Sequence, residues 1–227
     1  MALSHRSRHF ELIRYIFEVG TKLNAQHVSI ATASCLYHKF FENCNSKNYD
    51  HHMIAATCVY LAGKVEEDHF SIKDVINVAY KTLHKESGPL EPGEKYHNLR
   101  KSIVHLELLI LRVLKFKVSF VDPRKYLLHY VKSLQHWLHP SLTEKVPILQ
   151  TSWALIQDFL HDPVYLKYKA QHIAIGALYL ALQCCGIQVP YNEDAVLTWY
   201  ETFADDLTKE ELWEIVEDIM SVSLMEN

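Results

Sequence analysis

Turn formers are scarce in this 227-residue chain, with six glycines and seven prolines, roughly 6% together where about 12% is usual. So few punctuators exclude a sandwich or barrel of many short strands and favour long helices. Cysteine is also sparse: five residues, at 35, 44, 58, 184 and 185, an odd number with no C-x-x-C. That argues against a disulfide framework or a zinc ribbon and for a reducing, intracellular setting. The longest apolar run, Ile173 to Leu182, has ten residues, far short of the roughly 18 that suggest a membrane span. The opening MALSHRSRHF has no apolar stretch of the kind a secretory signal needs. Enzyme signatures are missing too. There is no G-x-G-x-x-G, H-E-x-x-H or G-x-S-x-G, and no kinase H-R-D, D-F-G or A-P-E. Gly63-Lys64 is no phosphate loop, because Cys58 stands where its first glycine belongs and Val65 follows the lysine.

What remains is a chain 49% hydrophobic and 22% charged, enough to bury a core without staples. Helical periodicity predicts five helices, near 7–23, 27–44, 50–67, 71–83 and 95–115. A loop at 84–94 carries the breakers Gly88-Pro89 and Pro92-Gly93. An extended joint runs from Phe116 to Pro123, and five more helices fall near 124–138, 144–161, 165–185, 192–204 and 208–224. Asp50 and Ser71 stand as N-caps, and Thr208-Lys-Glu-Glu211 reads as a capping box. Met53 to Gly63 is apolar or small nearly all round, the mark of a helix at the centre of a bundle. MIAATCVYLAGK at 53–64 echoes HIAIGALYLALQ at 172–183, with five identical positions at an offset of 119. The expectation is an all-α chain of two similar five-helix domains in tandem, 1–119 and 120–227.

Charge is unevenly placed. The chain carries −4 overall, but Arg100 to Lys132 sums to +6 and Glu193 to Asn227 to −10. One reading is a solvated basic face and a solvated acidic helix; the other is a basic surface for an acidic or phosphorylated segment. The net acidity and the lack of a recognised motif speak against nucleic acid. Fifteen histidines invite a metal site, but neither His51-His52 nor His136/His139 joins a cysteine at zinc spacing. Surface or capping roles fit them better, and no metal or cofactor is expected. Cys184-Cys185 reads as two small buried residues near a helix end.

Two charges need an explanation. Glu107 sits in IVHLELLIL, where its i±3 and i±4 neighbours Ile103, Val104, Ile110 and Leu111 cannot pair with it. It must reach water beside Arg100, find a tertiary partner or bind another chain. Lys64 closes the third helix, where the dipole favours a cation by about 0.3–1 kcal/mol. It either pairs locally with Glu67 or Asp68 or meets Glu107. Its repeat counterpart is Gln183, so the charge belongs to the first half alone.

Leu61-Ala-Gly-Lys-Val-Glu-Glu67 followed by Leu106-Glu-Leu-Leu-Ile-Leu-Arg-Val-Leu-Lys-Phe116 resembles the cyclin box. Val19-Gly20 and Ser29–Phe41 resemble its first two helices, and Tyr165-Leu-Lys-Tyr-Lys with Ile173–Leu182 resemble the second cyclin fold. Tyr37–Phe41, Tyr60–Glu67, Lys125–Tyr130 and Ala170–Ala174 are most similar to the cyclin-Q, or cyclin-M, branch. The resemblance implies a regulatory subunit that activates a cyclin-dependent kinase, not an enzyme, with a kinase-binding first domain. For that branch it implies a heterodimer with cyclin-dependent kinase ten and a place in the nucleus and cytoplasm. It further implies that Lys64 and Glu107 pair and touch the kinase near its mobile C-helix, with apolar contacts from Leu61, Val65, Leu111 and Phe116. The alternative is a transcription-factor-like tandem module that binds DNA or the transcription machinery. The M-R-A-I-L-type substrate-docking patch of cell-cycle cyclins has no match, since Arg8-His-Phe-Glu-Leu12 stands there, which puts R-x-L docking in doubt.

Overall fold

Helix starts follow from local chemistry. The Asp50 carboxylate accepts from the backbone N–H of His52 and Met53, Ser71 Oγ from Asp74 and Thr208 Oγ1 from Glu211. Asp122 accepts from Arg124 N–H with Pro123 in the first turn, and Thr198 and Glu201 complete a reciprocal capping box. Each bond satisfies a donor that the helix itself leaves open. The computed structural model describes residues 2–45, 48–86, 90–138, 146–190 and 197–224, with side chains from residue 8 onward. Among them are ten α-helices and no strand.

The chain divides into two units, Met1–Phe120 with Leu160–Pro163, and Val121–Phe159 with Val164–Asn227. The first holds α1 (Ala2–Lys22), α2 (His27–Asn43), α3 (His51–Val65), α4 (Ile72–Leu83) and α5 (Glu94–Val113). Helix α3 is its centre and packs on the other four. Nine of its residues are buried, from Ile54 to Gly63, as its all-round apolar sequence requires. Gly63 is there for space: a Cβ would stand 2.5 Å from the Phe70 ring and 2.6 Å from the Asp68 carbonyl. Helix α2 has no capping side chain of its own. Asp68, beyond the end of α3, accepts from Gln26 N–H at 2.7 Å and from Ser29 Oγ at 2.9 Å. Within this unit His38 is fully buried. Its Nδ1 faces His9 Nδ1 at 3.2 Å and its Nε2 meets the Leu160 carbonyl at 2.9 Å.

The second unit holds α6 (Pro123–Gln135), α7 (Ile148–Phe159), α8 (Ala170–Cys184), α9 (Trp199–Phe203) and α10 (Lys209–Ser223), with a 3₁₀ turn at Pro163–Lys167. Helix α8 is the counterpart of α3 and packs on α6, α7 and α10. Gly176 lets Ile215 of α10 approach, since a Cβ there would lie 2.5 Å from its side chain. His172, buried in the first turn of α8, faces Glu211 at 2.8 Å and Asp206 at 3.0 Å. Short α9 is held by aromatic stacking, with Phe203 on Tyr130 at 4.5 Å.

The expected helices differ from these in places. Helix α1 begins at residue 2 rather than 7, and α8 at 170 rather than 165, because 163–167 wind as a 3₁₀ turn. Of the expected helices near 144–161 and 192–204, residues 144–145 and 192–196 lie outside the described residues, as do Gly88-Pro89 and His139. Cys184 is exposed and Cys185 half-buried, which corrects the expectation of two buried residues: the last turn of α8 runs past the core. No described helix is long and apolar enough to cross a membrane.

Candidate functional site

The end of α3 and the middle of α5 lie side by side in the first unit. Lys64, in the last turn of α3, places its ammonium 2.7 Å from Glu107 Oε1 of α5. The glutamate is well covered, its side chain 14% exposed, while the lysine is 49% exposed. The ammonium also lies 4.3 Å from the centre of the Tyr60 ring, one turn back on α3. Partial burial works to lower the Lys64 pKa, but its bonds to Glu107 and Tyr60 outweigh that and hold it above the ordinary lysine value. The cation is therefore fixed at neutral pH. Neither of the local alternatives holds. Asp68 is engaged with α2, and Glu107 turns to α3 instead of running out to water beside Arg100.

With one partner half in water, such a pair stabilises the fold by only about 0.2–1 kcal/mol. Its stronger property is orientation, because it fixes a charge doublet beside apolar side chains that reach the surface. Around it on α5, Val104 is 43% exposed and Leu108 48%. Leu111 and Val65 are half-buried, with part of each packed on the core. Phe116 is 68% exposed.

Phe116 is held outward by an unusual helix end. After α5 both Lys115 and Phe116 have positive φ, 51° and 59°. Phe116 N–H donates to the Leu111 carbonyl at 2.8 Å and Lys115 N–H to that of Arg112 at 3.0 Å. This is the Schellman arrangement, in which glycine normally occupies the left-handed position. Two residues with side chains in that region cost about 1–2 kcal/mol each. Strain of this kind concentrates at working surfaces.

Leu61 is corrected. It is 4% exposed and belongs to the core of the first unit, so little of it is left at the surface for the expected apolar contact. Of the other five, Lys64 and Glu107 meet, Val65 follows Lys64, Leu111 lies one turn after Glu107 on α5, and Phe116 stands beyond the end of α5. Sequence reasoning missed Val104 and Leu108, whose exposure is legible only once α5 is known to bury Ile103 and Ile110. It also missed Tyr60, although its i,i+4 spacing from Lys64 was available. The +6 stretch is corrected in one position: Arg124 is buried, pairs with Asp122 at 2.9 Å and lies over Trp153, so it adds no surface charge. No group of three or more described His, Cys, Asp or Glu residues could hold a metal ion.

Comparison with known proteins follows the same lines. The family model of the cyclin N-terminal domain matches residues 2–119. Cyclin-T1-4 of Arabidopsis thaliana is 28% identical over 212 residues, covering 92% of this chain and 37% of that protein. Human cyclin-K is 26% identical over 211 residues, covering 92% and 35%. The chain thus spans little more than a third of these curated relatives. Among solved structures, a chain of the yeast RNA Pol II CTD kinase CTDK-1 complex superposes with a TM-score of 0.76. The identity is 14%, with 97% of this chain and 66% of that one covered. That likeness establishes the tandem helical fold. Cyclins are regulatory subunits of protein kinases and not enzymes themselves. On the match over its first half, this chain belongs to the cyclin family.

Proposed function

We propose that the chain is the activating subunit of a cyclin-dependent kinase and that the Lys64–Glu107 face grips the kinase beside its C-helix. The observation that carries this reading is the oriented ion pair on a helix that also exposes Val104 and Leu108, with exposed Phe116 just beyond the helix end. A lone kinase subunit with its C-helix swung out has its own Lys–Glu pair open and cannot hold ATP productively. A subunit that binds only the helix-in form moves the equilibrium by its differential affinity. Going from 1:99 to 99:1 takes about 5.5 kcal/mol. The apolar groups on α5 supply most of that preference, and Lys64 with Glu107 sets the register. The face is already folded, so little ordering cost is subtracted on binding. Val65 and Leu111 contribute their exposed halves at the edge.

The partner we assign is cyclin-dependent kinase ten, in a heterodimer working in the nucleus and cytoplasm. The support is the resemblance of Tyr37–Phe41, Tyr60–Glu67, Lys125–Tyr130 and Ala170–Ala174 to the cyclin-Q branch. A nuclear role also agrees with the yeast neighbour, a chain of the RNA Pol II CTD kinase CTDK-1 complex. The test is co-expression of this chain with that kinase, followed by co-purification and a phosphorylation assay. Wild type should give a stable pair with activity that the kinase alone lacks. Lys64→Glu places two carboxylates together and should cut pair yield at least ten-fold while circular dichroism stays helical. Wild-type yield from Lys64→Glu, or equal activity of the kinase alone, would sink the proposal.

A further inference from the structure

The second unit carries a surface that the proposed function does not use. Helix α10 buries Leu212, Ile215, Val216, Ile219 and Val222. The opposite side of such a helix is expected to be polar. Here it holds Trp213, Met220 and Leu224, which are 46%, 47% and 72% exposed. At 100° per residue the three fall within about 40° of one another, in a line along the helix. The Trp213 ring is set by Tyr179 of α8, with ring centres 5.8 Å apart and planes at 72°. Beside this line run Glu210, Glu214 and Glu217, all exposed and spaced i, i+4, i+7. Like charges at that spacing repel one another. The neighbouring acids are engaged elsewhere: Glu211 faces His172, Asp218 accepts from the Tyr168 hydroxyl and Asp206 pairs with Lys169. Glu214 also meets the Tyr168 hydroxyl. Among the described residues, Glu210 and Glu217 make no ion pair or hydrogen bond through their side chains.

We infer that this face of α10 is a docking site for a basic amphipathic helix of a protein other than the kinase. It shares no residue with the Lys64–Glu107 face and belongs to the other unit. Three observations fix the occupant. The glutamates stand in a stretch, Glu193 to Asn227, that sums to −10, so the complement is cationic. The same charge repels nucleic acid and anionic lipid. The apolar line runs straight from Trp213 to Leu224, about 17 Å, so the occupant lays a matching apolar stripe along it, with anchors at i, i+3 and i+7. Finally, the acids flank the line on one side. In helical projection Glu217, Glu210 and Glu214 stand about 40°, 60° and 100° from Trp213 in one direction, and Lys209 about 40° in the other. The occupant therefore carries its lysines and arginines along one edge of its apolar stripe. A ridge one helix wide, about 10 Å, offers roughly 170 Å², far below the roughly 800 Å² per partner of a stable folded interface. That suits a single helix laid along α10, anchored on the Trp213 indole, rather than a globular body.

The experiment uses the whole chain and a fluorescein-labelled 18-residue peptide with leucines at i, i+3 and i+7, lysine and arginine along one edge and alanine elsewhere. Anisotropy titration should give micromolar binding that weakens at least three-fold from 50 to 300 mM salt, as charge pairing at a surface requires. Amide shift perturbations should centre on 209–224. The double variant Glu210→Gln with Glu217→Gln should weaken binding at least five-fold at the lower salt and flatten the salt dependence. Trp213→Ala should weaken it at least ten-fold. Because Trp213 also rests on Tyr179, Met220→Ser serves as a second apolar variant and should weaken binding at least three-fold, with helicity by circular dichroism unchanged. The inference is overturned by four outcomes. The peptide fails to bind below millimolar, or the glutamine pair and Met220→Ser bind it unchanged. The same peptide with glutamine for its cations, or serine for its leucines, binds as tightly. The chain self-associates through α10, which would give the face to a second copy. The kinase displaces the peptide, which would give it to the kinase. Co-purification with the kinase should be untouched by Met220→Ser, and failure of the kinase reading leaves the peptide titration intact.

Discussion

At the scale of single residues, backbone geometry does more here than composition suggests. Four helices end in the Schellman pattern: Ala25 N–H reaches Gly20 O, Asp68 reaches Gly63 O, Phe116 reaches Leu111 O and Ile187 reaches Leu182 O. The left-handed residue at these ends is Asn24, Glu67, Lys115 and Gly186. Only the last is a glycine, so three ends carry a side chain where glycine is better tolerated. Lys115→Gly should raise stability by about 0.5–1 kcal/mol, the relief of strain being partly offset by a more flexible unfolded chain. Urea unfolding would read it, and a loss of stability would show that Lys115 earns its place by contacts. Gly63 behaves in the opposite sense. Its φ is unremarkable, but a Cβ would collide with Phe70 and with the fixed carbonyl of Asp68. Gly63→Ala should cost about 1–3 kcal/mol, as overpacking does. Gly93→Ala should be near neutral, since the nearest atom to its added Cβ is 3.9 Å away. Equal melting temperatures for the two variants would contradict the packing role of Gly63.

At the scale of elements, helix positions were legible because helical periodicity and caps act locally. Asp50, Ser71 and Thr208 cap where the sequence places them. What was illegible is tertiary. Asp68 capping α2 spans 42 residues, and no pattern within α2 announces it. Arg124 looked like surface charge until Asp122 and Trp153 enclosed it. Leu61 and Leu108 are chemically alike, and only the packing of α3 and α5 turns one inward and the other out. The Lys64–Glu107 contact was open at the sequence level because each residue had a sound local alternative. His38 offers a test of such buried contacts. Burial lowers its pKa from 6.5 to about 4, against the raising effects of the Leu160 carbonyl and Asp162. The unfolded chain therefore binds a proton that the folded chain refuses between those values. Stability from this group is complete above pH 6.5 and is lost as pH falls toward 4. From pH 6.5 to 4.5 the loss is about 2 kcal/mol. His38→Asn should remove that part of the acid slope in urea titrations. An unchanged slope would place the acid sensitivity elsewhere.

At the scale of the whole molecule, the question is where one folding unit ends. The sequence offers the joint 116–123, and a cut there is the natural way to prepare the first box. Yet Leu160–Pro163 belongs with the first unit. Leu160 supplies the carbonyl that His38 Nε2 meets. His161 lies against two rings of α1, Phe17 at 5.0 Å with planes 16° apart and Phe10 at 4.9 Å. A fragment of residues 1–120 keeps α1 to α5 and loses both. The lost carbonyl leaves a buried imidazole nitrogen without its partner, which costs about 1–3 kcal/mol. The lost ring removes aromatic contacts worth about 0.5–1.5 kcal/mol each. The fragment should therefore be helical but looser at α1 and the middle of α2. Amide exchange around Phe10, Phe17 and His38 should be at least ten-fold faster than in the full chain, while α3 amides around Ile54 and Val59 keep more of their protection. Extending the fragment cannot restore the segment, because 121–159 would come with it, so the control is a synthetic peptide spanning 158–165 added in excess. Its binding should slow exchange at those three sites. Identical exchange in the fragment and the full chain would mean that the first box is complete at residue 120 and that the segment merely rests against it.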